Sequence, residues 1–300
     1  MLPLNRLRAD ALLLMTAMIW GTGFVAQKYG NAVMGPVTFV GARFLLSALM
    51  VLPLALYERR KQSAALTRRD YWTAALVGLC LFAGSSLQQI GLVTTTATNG
   101  GFLTALYVVL VPFTTWLVTR QPLRPIVVAA SLISIFGAWL LASNSQLQAW
   151  TLGDGLVIIS DIAWAFGITL VSVFMLGRDR PFFLCFAQYA ITAVLGLAAG
   201  LTFEPYTAQG LQAAIPAILY AGLVSGALGF TLQAIAQRHT PAPEAALIMS
   251  LESVFAAVAG AILLQEFLTP LGLAGCVLIL LGVVLVETGP AILRRIGIDR

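Results

Sequence analysis

The sequence predicts an all-α integral membrane protein of ten transmembrane helices, arranged as two inverted-topology five-helix repeats. Three observations carry this expectation. Of 300 residues, 59% are hydrophobic and only 10% charged, whereas soluble globular chains typically carry about 25% charged residues. The apolar runs are helix-length, roughly 18 to 25 residues, and lack the strict period-two alternation of a membrane barrel. Finally, the chain repeats itself: sliding it by 145 residues without a gap lays Gly84 on Gly229, Gln88 on Gln233, Thr95 on Thr240, Leu106 on Leu251, Pro125 on Pro270 and Gly137 on Gly282. A gapless register that returns Gln, Pro and Gly marks a duplication rather than shared composition. Near the start of each half the register slips by one, so Trp20 and Gly23 match Trp164 and Gly167 at 144, while Arg43 matches Gln188 at 145. The first unit is 1–145 and the second 146–300, and function is expected where they meet.

The spans can be drawn in order. The first, 10–28, lies between Arg6 with Arg8 and Lys28; the second, 36–57, opens on Pro36 and runs to the cluster Arg59, Arg60 and Lys61. The third, 71–92, follows Arg68 and Arg69; the fourth, 97–119, stops at Arg120; the fifth, 125–143, opens on Pro125. The second unit repeats the series as 153–176, 182–203, 213–235, 243–264 and 270–287. Pro36, Pro125, Pro243 and Pro270 fall at or near first helical positions, where a missing N–H costs nothing. The connections are short and leave no room for a soluble domain.

Charge fixes the expected orientation. With the N-terminus inside, fifteen of the seventeen Lys and Arg residues fall in inside segments, so the positive-inside rule puts both termini in the cytoplasm of a cell with this protein in its inner membrane. Because five is odd, the second repeat enters the membrane inverted relative to the first. The formal charge of +5 is therefore a topology signal, and no nucleic acid is expected as a partner. Cys80, Cys185 and Cys276 have no metal-ligand spacing and read as small core residues. The first apolar run is long enough to span and has no cleavage site after a short core, so it is not read as a signal peptide. Gly222 and Gly226 form a small-xxx-small pair suited to close helix approach.

Polar residues at membrane depth are costly and need a partner or an aqueous cavity. Glu252 falls roughly 13 Å into the ninth span, near the middle of a ~30 Å hydrocarbon core, where a carboxyl must be paired or protonated. It reads either as a structural hydrogen-bonding group or as a proton- or substrate-binding one. Arg43 and Asp161 lie at matching depth, about 10 Å below the outer ends of their helices, and are expected to form an ion pair that locks or gates the outer side. Trp20, Gly23 and Gln27 share one helix face, as do Asp161, Trp164 and Ile168, and Gly84 with Gln88 corresponds to Gly229 with Gln233. Small-plus-polar faces on symmetry-related helices are expected to line a pocket at the repeat interface. The single His239 cannot build a metal site, and no HExxH, phosphate loop, GxSxG or paired intramembrane Asp is present, so neither an enzyme nor a nucleotide-driven pump is expected.

The motifs Leu87-Gln88-Gln89-Ile90-Gly91-Leu92, the Thr-rich turn to Asn99, Tyr107 to Pro112, Gln121 to Pro125, Ser250-Leu251-Glu252-Ser253-Val254 and Leu264-Gln265-Glu266-Phe267-Leu268-Thr269 resemble the drug/metabolite transporter superfamily, EamA type. Ile19-Trp20-Gly21 and Gly41-Ala42-Arg43-Phe44 resemble it too, and the likeness covers nearly the whole chain. It implies a secondary transporter, coupled to protons or another gradient, that exports small metabolites such as amino acids or related compounds by alternating access. The alternatives are an uptake carrier for a sugar, vitamin or nucleobase and, in another class, a non-transporting scaffold or receptor subunit. Trp20, Gln88, Asn99, Tyr107, Trp164 and Gln233 are the substrate-binding candidates, and Glu252, Asp161 and Arg43 the proton-coupling or gating candidates. No cofactor or metal is expected, the lipid bilayer is the surrounding partner, and one chain holding both halves should work as a monomer.

If Gln88 and Gln233 contact substrate, Gln88→Leu and Gln233→Leu each weaken apparent affinity in a transport assay while leaving thermal stability within ~0.5 kcal/mol of the parent, as a near-isosteric apolar swap in hydrocarbon should. Unchanged affinity in both variants sinks the assignment.

Overall fold

The computed structural model describes residues 5–62, 65–120, 125–143, 151–265, 267 and 269–295. Gln121 and Glu266, which carry part of the resemblance, lie outside them. Ten helical segments cross the bundle: α1 (Arg6–Val33), α2 (Pro36–Lys61), α3 (Arg68–Gly91), α4 (Ala97–Thr119), α5 (Pro125–Ser143), α6 (Leu152–Gly177), α7 (Pro181–Phe203), α8 (Ala208–Ala236), α9 (Ala242–Leu263) and α10 (Pro270–Arg295). Eight are long and apolar enough to cross a membrane, and shorter apolar stretches occupy α5 and α10. Several helices overrun their expected ends, because polar caps extend them past the apolar stretch. Thr67 caps α3 through Asp70 and Thr151 caps α6 through Asp154, each a reciprocal capping box that satisfies two otherwise orphan N–H groups.

Helix contacts are made chiefly between repeats. The tightest pairs are α2 with α7, α5 with α10, α3 with α6, and α1 with α8 and α9. Small residues permit the approach, and the contacts come in symmetry-related couples. Gly137 backs onto the Gly275 carbonyl while its counterpart Gly282 backs onto that of Ala130, the counterpart of Gly275. A methyl group at Gly137 would lie 2.6 Å from that carbonyl oxygen, so neither helix tolerates a larger residue at its crossing.

Helices α2 and α7 also cap each other. The Glu58 carboxylate near the end of α2 accepts the N–H groups of Phe182 (3.2 Å) and Phe183 (2.9 Å) at the start of α7. At the other end of the bundle Glu204, just past α7, accepts those of Val37 (2.9 Å) and Thr38 (2.7 Å) at the start of α2. Each carboxylate meets the positive end of a helix dipole and supplies charge-assisted hydrogen bonds to donors that lack intrahelical partners. No sequence motif announces this, because each donor and its acceptor belong to different repeats.

Two helices that the sequence presents as continuous are broken. Helix α4 divides into Ala97–Thr104 and Tyr107–Thr119, and α9 into Ala242–Met249 and Glu252–Leu263. At each break the turn tightens: Leu106 N–H bonds to Leu103 O (3.2 Å) and Val108 N–H to Ala105 O (3.2 Å), and the same three-residue spacing links Leu251 to Ile248 and Ser253 to Ser250. Hydroxyls then take up carbonyls left over. Ser131 Oγ donates to Val108 O (3.4 Å), the acceptor that Pro112 cannot serve, and Ser250 Oγ donates to Leu247 O (2.7 Å). Helix α8 differs in another way, widening into a π-helical stretch over Tyr220–Phe230. Pro216 interrupts the preceding hydrogen-bond ladder, and Gly222, Gly226 and Gly229 tolerate the wider turn.

Glu58→Gln and Glu204→Gln should each lower stability by about 1 to 2 kcal/mol, the upper range for an anion at a partly buried helix N-terminus. The two losses should add in the double variant, since the caps sit at opposite ends of the bundle. Thermal unfolding in detergent reads both effects.

Candidate functional site

The two breaks face each other at the middle of the bundle. Tyr107 is the first residue after the break in α4 and Glu252 the first after the break in α9, and they occupy equivalent positions of the repeat, 145 apart. Their side chains interact electrostatically across the interface. Both line a partly open cavity of about 50 Å³, room for a few waters at roughly 10–15 Å³ each.

Seven of the nine residues expected from sequence line this cavity: Trp20, Arg43, Gln88, Tyr107, Trp164, Gln233 and Glu252. Asn99 and Asp161 do not. Asn99 sits in the first turn of α4, where its N–H bonds to the capping Thr96 hydroxyl. Asp161 is 1% exposed and lies off the cavity, within electrostatic reach of Glu252 and Tyr107.

The expected ion pair between Arg43 and Asp161 is not formed. Both carboxylate oxygens of Asp161 and Nε of Arg43 are buried without hydrogen-bond partners. Arg43 instead lays its guanidinium over Phe44, 4.9 Å from the ring centroid, and beside Phe39 at 5.8 Å. Equal depth was a poor guide to pairing, because depth says nothing about which face of a helix a side chain occupies. A cation over aromatic rings gains about 2 kcal/mol when desolvated, well short of the cost of an isolated charge in the membrane interior.

Sequence reasoning missed the aromatic centre of the site. Phe230 packs between the two tryptophans, 4.5 Å from Trp20 and 6.0 Å from Trp164 in a near-parallel stack. Its repeat counterpart is Ser85, so the self-comparison that found Trp20 and Trp164 passes over it. Gln27, Gln188 and Ser225 line the cavity as well, and Cys80 borders it rather than lying in the core. The glycines Gly84 and Gly229 explain the tryptophans: Trp20 of the first repeat rests on Gly229 of the second, and Trp164 on Gly84. Trp20 Nε1 is further held by donating to Ser225 O at 3.1 Å, whereas Trp164 Nε1 has no partner.

Beyond the cavity, the repeat places equivalent contacts at the two ends of the bundle. At the end where α1 finishes, Thr95 Oγ1 donates to Asp154 Oδ1 at 2.5 Å, and Lys28 Nζ donates to the carbonyls of Leu92 (2.9 Å) and Thr95 (2.7 Å). At the end where α1 begins, Thr240 Oγ1 donates to Asp10 Oδ1 at 2.7 Å, and Arg6 pairs with both Asp10 (3.5 Å) and Glu244 (2.5 Å). Thr240 is the counterpart of Thr95 at 145, and Asp154 that of Asp10 at 144. Each contact ties the first helix of one repeat to the turn before the broken helix of the other. Asn99 and Glu244 are counterparts too, which places Asn99 in an end contact region rather than in the cavity.

The model of the EamA-like transporter family matches residues 7–143 and again 151–288, once in each half. The chain belongs to the EamA-like transporter family. It is a multi-pass membrane transporter, 31% identical over 286 residues to an uncharacterized transporter of Archaeoglobus fulgidus, covering 94% of this chain and 87% of that protein. It is 27% identical to the uncharacterized transporter YvbV of Bacillus subtilis, with 96% and 94% covered. A solved structure titled only as the crystal structure of a protein superposes with a TM-score of 0.76 at 15% identity, covering 94% of this chain and 97% of that one, which shows the shared fold.

Gly229→Ala would set a methyl carbon 2.6 Å from Trp20 Nε1 and push the indole off Ser225; the expected loss is about 1 to 3 kcal/mol, as for other overpacked sites. Gly84→Ala, with its closest approach to Trp164 at 3.0 Å and no hydrogen bond to break there, should cost less. Thermal unfolding with tryptophan emission compares the two.

Proposed function

We propose that this transporter is a secondary active exporter of a small metabolite that works by alternating access, as a single chain, in the cell inner membrane with both termini cytoplasmic. The observation that carries this reading is the pair of equivalent contacts at opposite ends of the bundle, Thr95 with Asp154 and Thr240 with Asp10. A transporter built from inverted repeats exposes its site alternately by exchanging the conformations of its halves. Equivalent contacts at the two ends are what such an exchange would make and break in turn, and both are made here. The tightened turns in α4 and α9 lie beside the cavity, where a helix bends at least cost. Arg6 and Glu244 strengthen one seal and Lys28 the other, so the two are balanced by different chemistry.

Coupling to protons rests on Glu252, Asp161 and Tyr107. Asp161 and Glu252 are both buried, and among the described residues both oxygens of Asp161 and Oε1 of Glu252 have no hydrogen-bond partner. Glu252 lines the cavity and Asp161 does not, so Glu252 is the carboxyl placed to exchange a proton as the cavity opens.

With Cys185→Ala and Cys276→Ala leaving Cys80 as the only thiol, an impermeant maleimide added to either side of sealed vesicles reads which end is open. Thr240→Val should raise labelling from the Arg6 end and lower it from the other, and Thr95→Val should do the reverse. A shift of about tenfold is expected, equivalent to ~1.4 kcal/mol and within the worth of a hydrogen bond to a charged group. Changes in the same direction for both variants, or none, would rule out the contacts as alternating seals.

A further inference from the structure

We propose that Arg43 is the anchor for a single carboxylate on the transported molecule, whose flat apolar body lies against Trp20, Phe230 and Trp164. This rests on the reading of the cavity as the transport site. Arg43 is 5% exposed, lines the cavity, and has Nε buried without a partner. Its guanidinium carbon lies over the rings of Phe44 and Phe39, contacts that use none of its N–H donors. Those donors form a planar fork that matches the two oxygens of a carboxylate. Neither carboxyl near the middle of the bundle pairs with it: Asp161 has both oxygens unpartnered, and Glu252 has Oε1 unpartnered. The counter-anion is therefore supplied by whatever enters.

The duplication sharpens the assignment. The counterpart of Arg43 is Gln188, which also lines the cavity but is neutral and turns its amide toward Cys185 Sγ at 3.8 Å. The cavity thus has one cationic pole, on α2, and an acidic one at Glu252 on α9, so a solute enters with a defined orientation. One guanidinium can hold one carboxylate through two parallel N–H donors. Trp164 Nε1, also buried and unpartnered, adds a donor beside the aromatic wall. Stacking there selects a flat body without selecting charge, so the two parts of the site read separate features of the solute.

Cys80 borders the cavity and is the reporter. The full chain in lipid nanodiscs, carrying Cys185→Ala and Cys276→Ala, is alkylated with N-ethylmaleimide in the presence of benzoate, 3-phenylpropionate or indole-3-acetate, and in parallel with the matching primary amide of each. At least one acid should protect Cys80 at a concentration tenfold or more below that of its amide. Arg43→Gln should abolish this preference and Arg43→Lys retain part of it. Equal protection by acid and amide throughout the set, or an undiminished preference in Arg43→Gln, overturns the proposal. The comparison in the chain with native Arg43 decides even where Arg43→Gln fails to fold. If the preference is absent while Thr95→Val and Thr240→Val still redirect Cys80 labelling, the carboxylate assignment falls and the alternating-access reading stands; if the redirection is absent as well, both fall.

Discussion

A backbone in hydrocarbon has no water to complete its hydrogen bonds, and every loose N–H or C=O must be satisfied by protein. In this transporter that constraint is met largely by exchange between the two halves. The first turn of α7 is capped by Glu58 from the first repeat, and the first turn of α2 by Glu204 from the second. The glycine crossings of α5 with α10 and the seating of Trp20 and Trp164 on glycines of the opposite repeat follow the same pattern. Neither half would be a satisfied membrane structure alone, and the surface along which they complete each other is the one that holds the cavity.

The cavity follows from that arrangement. Helices α4 and α9 meet at the centre, and both tighten there instead of running through as ideal α-helices. Serine and threonine hydroxyls accept the cost of the irregularity, so that Tyr107 and Glu252 can project toward each other. Around them the sequence places amides and large aromatic rings, whose polar edges and apolar faces suit a solute of mixed character.

Much of this was legible in the sequence because duplication and hydropathy are long-range signals that survive without knowledge of contacts. The ten helices, their inverted halves and the shared faces of Trp20 with Gln27 or Gly84 with Gln88 all follow from spacing. The breaks were not legible, since Ala105-Leu106 and Ser250-Leu251 are ordinary helix formers and the bending arises from tertiary packing. Phe230 escaped because its counterpart is a serine, and self-comparison sees only what the two halves kept in common. The pairing of Arg43 with Asp161 failed for a related reason: spacing gives depth along a helix, whereas an ion pair depends on the azimuth of both helices about the bundle. The end contacts were visible only in part, since Thr95 and Thr240 stood out as a matched pair while their partners Asp154 and Asp10 lie in the other register, one residue out of step.

Tyr107 and Glu252 occupy the same position of the repeat and face each other across the axis that relates the halves. Two separate copies of one half, assembled antiparallel, would have to put identical residues there, either two phenols or two carboxyls. An acid opposite a phenol requires that the halves share one chain and mutate independently. Fusion therefore does more than hold two subunits together: it allows the centre of a symmetric framework to be chemically unlike on its two sides, with a carboxyl on one and a phenol on the other.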